Sequence, residues 1–204
     1  MSTEERRETI AVAALPLLAE HGTDVTTSQI AKAAGIAEGT VFRVFKDKQE
    51  LLDFCVLRAF QTHETLELID SLPDSTPLVE RLVQAVGALA EAAGRAGALM
   101  HALGATGYRP DESRLRKSAS KEHEHPINEE FKKATTALAK LLGSGSEVLR
   151  VPAEQAAGYL LGLTFVGQMQ AKRSGGPAPE VAELVDLFLH GAVGATTNQG
   201  GKDR

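Results

Sequence analysis

The sequence predicts an all-α protein, and three observations support that fold class. No stretch shows the sustained alternation of apolar and polar residues that marks a half-buried strand. Ala and Leu are abundant, whereas Phe, Trp and Tyr together make up only 4% of the 204 residues. Apolar residues recur instead at spacings of three and four, which place them on one face of a helix. We therefore expect helices throughout and a substantial buried core.

Composition and charge narrow the class of protein further. With 43% hydrophobic and 24% charged residues, the chain has the composition of a folded protein rather than of a disordered one. A formal net charge of −5 is not typical of nucleic-acid-binding proteins, so any contact with nucleic acid must depend on local arrangement. The single cysteine, Cys55, excludes an intrachain disulfide and fits a reducing compartment. Because the sequence shows neither a signal peptide nor a membrane-spanning apolar run, we expect a soluble, cytoplasmic protein.

The first helix is expected from about Glu4 to Glu20, with Gly22 as its stop signal. Pro16 removes one hydrogen bond of the helical ladder, so we expect a kink there. The apolar stripe of this helix consists of Ile10, Ala14, Leu17 and Leu18.

A longer helix is expected to begin at Asp47, which can act as N-cap with Glu50 three residues later, as in a capping box. The stretch SLPDSTP (71–77) breaks the helical pattern because it holds two prolines. The apolar stripe of the helix consists of Leu52, Cys55, Val56, Ala59 and Phe60.

Beyond this break the pattern predicts one helix over about 78–94 and another within ALMHALGATGY (98–108). The polar segment at 108–126 is expected to be rich in loops, and the sequence leaves its order open. Further helices are expected over about 127–142, 153–172 and 180–193, followed by a frayed tail.

The stretch TTSQIAKAAGIAEGTVFRVFKDKQELL (26–52) has the spacing of a helix-turn-helix followed by a third helix. Gly35 supplies the positive φ that a sharp interhelical turn requires, and Thr26 or Thr27 can cap the first helix. The second helix of such a motif enters the major groove of DNA. The inner faces of the two short helices would hold Ile30, Ala31, Ala34, Val41 and Val44.

The same stretch resembles the DNA-binding segment of the TetR family of transcriptional regulators, whose pattern is roughly T-x-x-x-I-A-x-x-A-G-[VI]-x-x-G-[ST]-[LVI]-Y-x-x-F-x-x-K-x-x-L. The resemblance covers about residues 8–52, and beyond it only the length and the helical layout agree. The family's usual Tyr is Phe42 here, so the hydroxyl that often reaches a DNA phosphate is absent, although the ring can still pack against sugar or a thymine methyl. The matching residues are Thr26, Ile30, Ala31, Ala34, Gly35, Ile36, Gly39, Thr40, Val41, Phe45, Lys48 and Leu51.

The resemblance implies two domains. Residues 1–48 would form a three-helix DNA-binding domain with the helix-turn-helix, and residues 49–204 a helical effector-binding and dimerisation domain. It also implies a ligand-responsive transcriptional regulator, expected to be a repressor, that binds a palindromic operator as a homodimer and is released by a small-molecule effector. The sequence identifies neither operator, effector nor regulated genes, and does not decide between repressor and activator. No cofactor is expected.

The residues expected to contact DNA lie at the starts of the two short helices, along the second of them and at the start of the third. Lys48 is placed unfavourably for the helix dipole unless a phosphate lies nearby. Glu38 could accept a hydrogen bond from a cytosine amino group. Residues 26–50 carry a net charge of only +1, so modest affinity per protomer is expected, which favours dimers on paired half-sites. The expected contacts are Thr27, Ser28, Glu38, Gly39, Thr40, Phe42, Arg43, Lys46 and Lys48.

The last two helices are expected to form the dimer interface. The segment AAGYLLGLTFVGQM is apolar nearly all round, so its helix must bury two faces, of which one can meet a partner. A wholly internal helix is the equal alternative. The expected interface residues are Leu160, Leu163, Val166, Val181, Leu184, Val185, Phe188 and Leu189.

The middle helices would hold the effector pocket, if the resemblance extends that far. With no Trp and two Tyr, a large aromatic cage for a flat cation is not expected. Polar or polarisable side chains near apolar stretches are the candidates, and each has an ordinary core or surface role as its alternative. They are His63, Met100, His101, Tyr108, Phe165 and Gln168.

Two other classes of function remain to be weighed. A helical ligand-binding or scaffolding protein, with a helix-turn-helix that serves packing alone, would fit the acidic net charge and Phe42. An all-α enzyme is not predicted, because the sequence holds no nucleophile elbow, phosphate loop or paired-carboxylate motif.

The stretch KEHEHP (121–126) offers His123 and His125, which we interpret as part of a solvated loop rather than of a metal site. Cys55 is interpreted as a buried, inert thiol.

Overall fold

A computed structural model of the chain describes residues 2–111, 126–144 and 149–191. The regular structure within these ranges is helical throughout, which confirms the all-α fold class. The helices are α1 (Thr3–His21), α2 (Thr27–Ala33), α3 (Glu38–Val44), α4 (Lys48–Phe60), α5 (His63–Asp70), α6 (Leu78–Ala105), α7 (Pro126–Gly143), α8 (Ala153–Ser174) and α9 (Val181–His190), with a 3₁₀ turn at Gly22–Asp24. In the described part of the chain, none of the helices combines the length and apolar character needed to cross a lipid bilayer.

The chain forms two compact units. The first comprises Met1–Asp70 and Ala88–Ala134, and the second Ser71–Gly87 and Thr135–Arg204. Helices α6 and α7 therefore contribute residues to both units. The expected functional division after residue 48 falls within the first unit and stays a prediction.

Helix α1 begins with a complete capping box. The Ser2 hydroxyl accepts the Glu5 N–H at 3.1 Å, and the Glu5 carboxylate accepts the Ser2 N–H at 2.6 Å. The helix continues through Pro16 and ends at Gly22, whose φ of 58° is in the range that favours glycine. A Cβ at Gly22 would also collide with the Thr106 side chain, so two constraints require glycine there.

The helix-turn-helix has the turn chemistry that its sequence predicts. Thr26 caps α2 in a second capping box, with Gln29 as its partner. Gly35 has a φ of 68°, and the Ile36 N–H donates to the Ala31 carbonyl at 2.9 Å, which closes the turn. The predicted role of Gly35 is therefore confirmed, since a residue with a Cβ is strained at this φ.

The core of the first unit joins the helix-turn-helix to its neighbours. Buried side chains from α1 to α4 pack together with others from the end of α6 and with Tyr108. Burial of each large apolar side chain stabilises the fold by about 1.5–3 kcal/mol, so this core fixes the orientation of α2 and α3. Its largest fully buried members are Ile10, Leu18, Ile30, Phe45, Leu51 and Leu103.

Two helix boundaries differ from the sequence-based expectation. One helix, α6, covers the region where two were expected, because its buried stripe of Leu89, Ala96, Leu99 and Leu103 passes without interruption through the glycines. Conversely, α4 ends at Phe60, and the sequence did not predict α5. The chain is held at this break by the Thr62 N–H and hydroxyl, which donate to the Glu130 carboxylate at 2.9 and 2.7 Å.

The second unit is built on α8 and α9 with parts of α6 and α7. The segment that precedes α9 approaches α8 closely at Gly167, where a Cβ would lie 3.1 Å from the Pro179 ring. Arg81, which is buried, donates to the Asp74 carboxylate at 3.0 Å and so fixes the preceding loop. Buried side chains of this unit include Leu82, Val86, Leu138, Leu142, Leu160 and Val185.

Candidate nucleic-acid interface

Helix α3 presents a small exposed surface that is suited to a groove of DNA. Glu38, Gly39, Phe42 and Arg43 are exposed, and Thr40 is half-buried. Val41 is buried against the core, which directs the opposite face of the seven-residue helix outward. Phe42 is 52% exposed, a large fraction for a phenylalanine, and so offers an apolar contact beside a guanidinium.

A side-chain hydrogen bond joins the starts of α2 and α3. The Thr27 hydroxyl donates to the Glu38 carboxylate at 2.6 Å, while Ser28 stays exposed. Glu38 therefore already has a donor, and any bond to a cytosine amino group would share its carboxylate with Thr27.

Lys48 is less exposed than its place in the motif indicates. Its Nζ donates to the Thr23 carbonyl at 2.5 Å, and the residue is half-buried. Lys48 thus holds the 3₁₀ turn in this structure, because a backbone carbonyl of another element lies within its reach, and its expected contact with DNA stays a prediction. Lys46, in contrast, is exposed, and its backbone N–H donates to the Glu50 carboxylate at 2.7 Å.

The end of α3 is supported by Arg7, a residue that the sequence did not single out. Its guanidinium donates to the Val44 carbonyl at 3.1 Å and to the Glu50 carboxylate at 2.9 Å. It also lies over the rings of Phe45 and Phe54, 4.5 and 4.7 Å from their centroids. Spacing alone could not identify this residue, because 43 positions separate it from Glu50.

Glu50 organises the start of α4. Burial by itself would raise the pKa of this carboxyl, but the Lys46 N–H and the Arg7 guanidinium outweigh burial and lower the pKa below 4.5. The Asp47 carboxylate caps α4 by accepting the Glu50 N–H at 2.8 Å, so the predicted cap is confirmed. The reciprocal bond goes to Lys46 rather than to Asp47, which is a departure from the capping box.

The six expected effector-pocket residues are divided between the two units. His63 is a surface residue, 80% exposed and 3.2 Å from Glu67. His101 is also exposed, and Met100 packs on the core of the first unit. Phe165 is 58% exposed and Gln168 is half-buried, both in the second unit.

Tyr108, the remaining expected pocket residue, lies inside the first unit. It is buried, and its hydroxyl donates to the Asp53 carboxylate at 2.7 Å. Burial and this carboxylate raise the pKa of the Tyr108 phenol. The side chain therefore has a hydrogen-bond partner within the protein.

The expected dimer residues differ in exposure. Leu160, Leu184 and Val185 are buried within the chain itself, so their side chains are not exposed for contact with a partner. Leu163, Val181, Phe188 and Leu189 are half-buried, and Val166 is 51% exposed. The sequence did not select Tyr159, Met169 and Leu187, which are exposed apolar side chains of the same two helices.

Comparison of the sequence with known proteins gives matches to part of the chain. Residues 10–54 match the sequence model of the family described as "Bacterial regulatory proteins, tetR family". The HTH-type transcriptional regulator HbdR of Aromatoleum sp. (strain CIB) is 37% identical over 86 residues, which are 42% of this chain and 37% of that protein. The matched part thus spans little more than a third of this relative.

Solved structures match over nearly the whole chain. The fatty acid degradation regulator FadR from Bacillus halodurans is 22% identical, with a TM-score of 0.59 over 92% of this chain and 96% of that chain. FadR from Thermus thermophilus, a TetR-family transcriptional repressor in complex with lauroyl-CoA, is 23% identical, with a TM-score of 0.53 over 96% of this chain and 99% of that chain. At these identities the likeness shows the fold, an N-terminal helix-turn-helix followed by a helical C-terminal part.

Proposed function

The chain belongs to the TetR family of transcriptional regulators through its N-terminal segment, and we propose that it is a repressor released from its operator by a small-molecule effector. The observation that supports this most directly is the exposed face of α3, where Phe42 and Arg43 project from a helix whose other face is buried. A rigid helix that presents an aromatic ring and a guanidinium suits the edges of bases in the major groove.

Each exposed group has a proposed role. Arg43 would contact a guanine edge or a phosphate, Phe42 a thymine methyl or a sugar, and Lys46 a phosphate. Thr40 and Ser28 would donate to phosphates near the starts of their helices. Gly39 leaves room for close approach of the backbone, since the space next to its Cα is empty.

The DNA-bound form is proposed to be a homodimer formed through α8 and α9. Tyr159, Val166, Met169 and Leu187 are exposed apolar side chains on these helices. Tyr159 and Val166 are seven residues apart, which places them on one face of α8. A partner covering this face would let two copies of α3 read the two halves of a palindrome.

The effector is proposed to act by a shift of population. It must bind the DNA-incompetent state more tightly, because a ligand with equal affinity for both states shifts neither. The lauroyl-CoA in the Thermus protein makes acyl-CoA thioesters reasonable first candidates to test. As a regulator of transcription, the protein is proposed to work in the cytoplasm and without catalysis.

One observation favours a second function, a helical ligand-binding protein whose helix-turn-helix serves packing alone. Glu38 and Lys48, two of the expected DNA-contacting residues, are engaged with Thr27 and Thr23 of the same chain. Such internal bonds are what a structural motif would require.

Selection of bound sequences from a random DNA pool, followed by titration at several salt concentrations, separates the two functions. The regulator requires a palindromic site whose affinity falls steeply with salt. Arg43→Ala should weaken binding about tenfold or more, whereas Lys132→Ala, which removes an exposed lysine of α7, should not. If the folded dimer enriches no sequence, with or without cell extract as a source of effector, the packing function is the correct one.

A further inference from the structure

The first unit contains a pocket of about 410 Å³ that is separate from the α2–α3 surface. Its lining comes from α1, from the C-terminal half of α4 with Gln61, and from the first turn of α7, all within this one unit. The volume is in the range of sites that enclose small organic ligands, about 300–1,000 Å³.

Part of the pocket surface is apolar. Phe54, Leu57 and Phe60 contribute from α4 at helical spacing, and Ile127 contributes from α7. All four are half-buried, so a ligand that covered them would remove further apolar surface from water.

The cations of the pocket are already neutralised. Arg7 pairs with Glu50 at 2.9 Å. Arg58 pairs with Glu8 at 2.9 Å and with Glu64 at 2.8 Å. An anionic ligand would therefore have to displace carboxylates from both guanidinium groups.

Two carboxylates of the lining are not neutralised in this way. Among the residues that the structure describes, Glu4 of α1 and Glu129 of α7 have neither a hydrogen-bond partner nor an ion-pair partner. A third, Glu130, is engaged by Thr62 and Lys133. Glu4 and Glu129 lie in the first turns of their helices, where the helix dipole favours a carboxylate, but the dipole does not account for the apolar surface beside them.

We propose that this pocket binds an organic cation with an apolar body. Its ammonium or guanidinium group would be held by Glu4 and Glu129, and its body would cover Phe54, Leu57 and Ile127. The ligand would thereby connect α1 and α4, which pack against the helix-turn-helix, with α7. Any effect of this ligand on DNA affinity rests on the proposed function. Binding of the ligand to the pocket does not.

Three probes with the same apolar chain and different head groups test the proposal: n-octylamine, n-octanol and octanoate, titrated calorimetrically into the DNA-free protein. The protonated amine should bind at least about fivefold more tightly than the alcohol, and octanoate most weakly, because a charge-assisted bond to a carboxylate is gained only by the cation. The amine's advantage should also shrink in high salt.

Substitutions locate the site. The double variant Glu4→Gln, Glu129→Gln should abolish the preference of the protein for the amine over the alcohol. The matched control is Glu183→Gln, which neutralises an exposed carboxylate in the first turn of α9 and should change nothing. Leu57→Trp, which fills the pocket, should weaken binding of all three probes, with circular dichroism as the check on folding. If Leu57→Trp does not fold, the carboxylate variants decide alone.

The proposal is overturned if octanol or octanoate binds as tightly as the amine, or if the double variant keeps the preference. Its failure is distinguishable from that of the proposed function. If the protein binds the amine selectively but enriches no DNA site, the pocket proposal stands and the repressor proposal fails. If it enriches an operator but shows no preference for the amine, the repressor proposal stands and the pocket proposal fails.

Discussion

At the scale of single residues, three neighbouring cations of the motif differ in where their side chains lie. Arg43 and Lys46 project into solvent, whereas Lys48 turns back to the Thr23 carbonyl. Local sequence could not distinguish them, since all three are cations within six positions of the motif. The partner of Lys48 comes from the 3₁₀ turn, 25 residues earlier.

Phe42→Tyr should strengthen DNA binding. The ring is half exposed on α3, so a hydroxyl at its end can reach a phosphate without disturbing the core. One added hydrogen bond to a charged acceptor is worth about 1.5–3 kcal/mol at most, and we expect a three- to tenfold gain in affinity, about 0.7–1.4 kcal/mol. Fluorescence anisotropy on the selected operator measures it. Phe131→Tyr, at an exposed phenylalanine of α7, is the control, and equal gains in both variants would show that the effect is not local.

Lys48→Ala should have two effects where Arg43→Ala has one. Loss of the Lys48 bond leaves the Thr23 carbonyl without that donor, and we expect a loss of stability of about 1 kcal/mol as well as weaker DNA binding. Arg43 is exposed and has no such bond, so its removal should leave stability within about 0.5 kcal/mol. Urea unfolding monitored by circular dichroism compares the two. If both variants are equally stable, water replaces the hydrogen bond from Lys48 to the Thr23 carbonyl without loss of stability.

At the scale of helices, α1, α3 and α4 meet at a charged and aromatic junction. Arg7 from α1 binds the last carbonyl of α3 and the Glu50 carboxylate of α4, between two phenylalanine rings. The junction sets the position of α3 relative to the rest of the first unit. Its parts lie far apart in the sequence, which is why helical periodicity did not reveal it.

Acid should weaken this junction. The pKa of Glu50 is lower in the folded protein than the ordinary value of 4.5, so the folded state favours the ionised form. That contribution to stability is complete above the unfolded pKa and is lost as pH falls through the lower, folded pKa. Glu50→Gln should therefore reduce the fall in stability between about pH 5 and pH 3. Thermal unfolding across this range is the measurement, with Glu91→Gln on α6, where the side chain is 80% exposed, as the control. An unchanged pH profile would contradict the assigned role.

A second junction joins α4 to the segment that follows α6, through the buried pair of Asp53 and Tyr108. The Asp53 carboxylate accepts bonds from Tyr108 at 2.7 Å and from Gln49 at 2.9 Å, while its other oxygen is buried without a partner. Such a carboxylate depends strongly on each remaining donor.

Tyr108→Phe should accordingly destabilise the protein by about 1–3 kcal/mol, because it removes a donor and leaves the packing volume nearly unchanged. The other tyrosine provides the control: Tyr159 is 57% exposed, and Tyr159→Phe should cost less than about 0.5 kcal/mol. Denaturant unfolding is the measurement. If the m-values of the two variants are equal, a difference between their midpoints is a difference in stability. If Tyr108→Phe left the stability unchanged, a water molecule would have to replace the tyrosine hydroxyl as donor to the Asp53 carboxylate.

At the scale of the whole molecule, the proposed function depends on a second copy of the chain, which the exposed apolar side chains of α8 and α9 would meet. Val166→Glu should place a charge in the proposed interface, convert the dimer into monomers and weaken operator binding by at least tenfold, about 1.4 kcal/mol. Val79→Glu, at an exposed valine of α6, should leave the dimer intact. Analytical ultracentrifugation measures the assembly state. A dimeric Val166→Glu variant would place the interface elsewhere.

The sequence by itself determined the helical class, the helix-turn-helix with its Gly35 turn and Thr26 cap, and the residues of α3 that reach solvent, because these depend on contacts within a few positions of the chain. Only the tertiary structure decided that α6 is one helix, that Arg7 supports α3, that Lys48 and Tyr108 turn inward, and that Leu160 and Val185 lie inside the protomer. Each of these depends on a neighbour from a distant element, and periodicity shows which face of a helix is apolar but not what covers it.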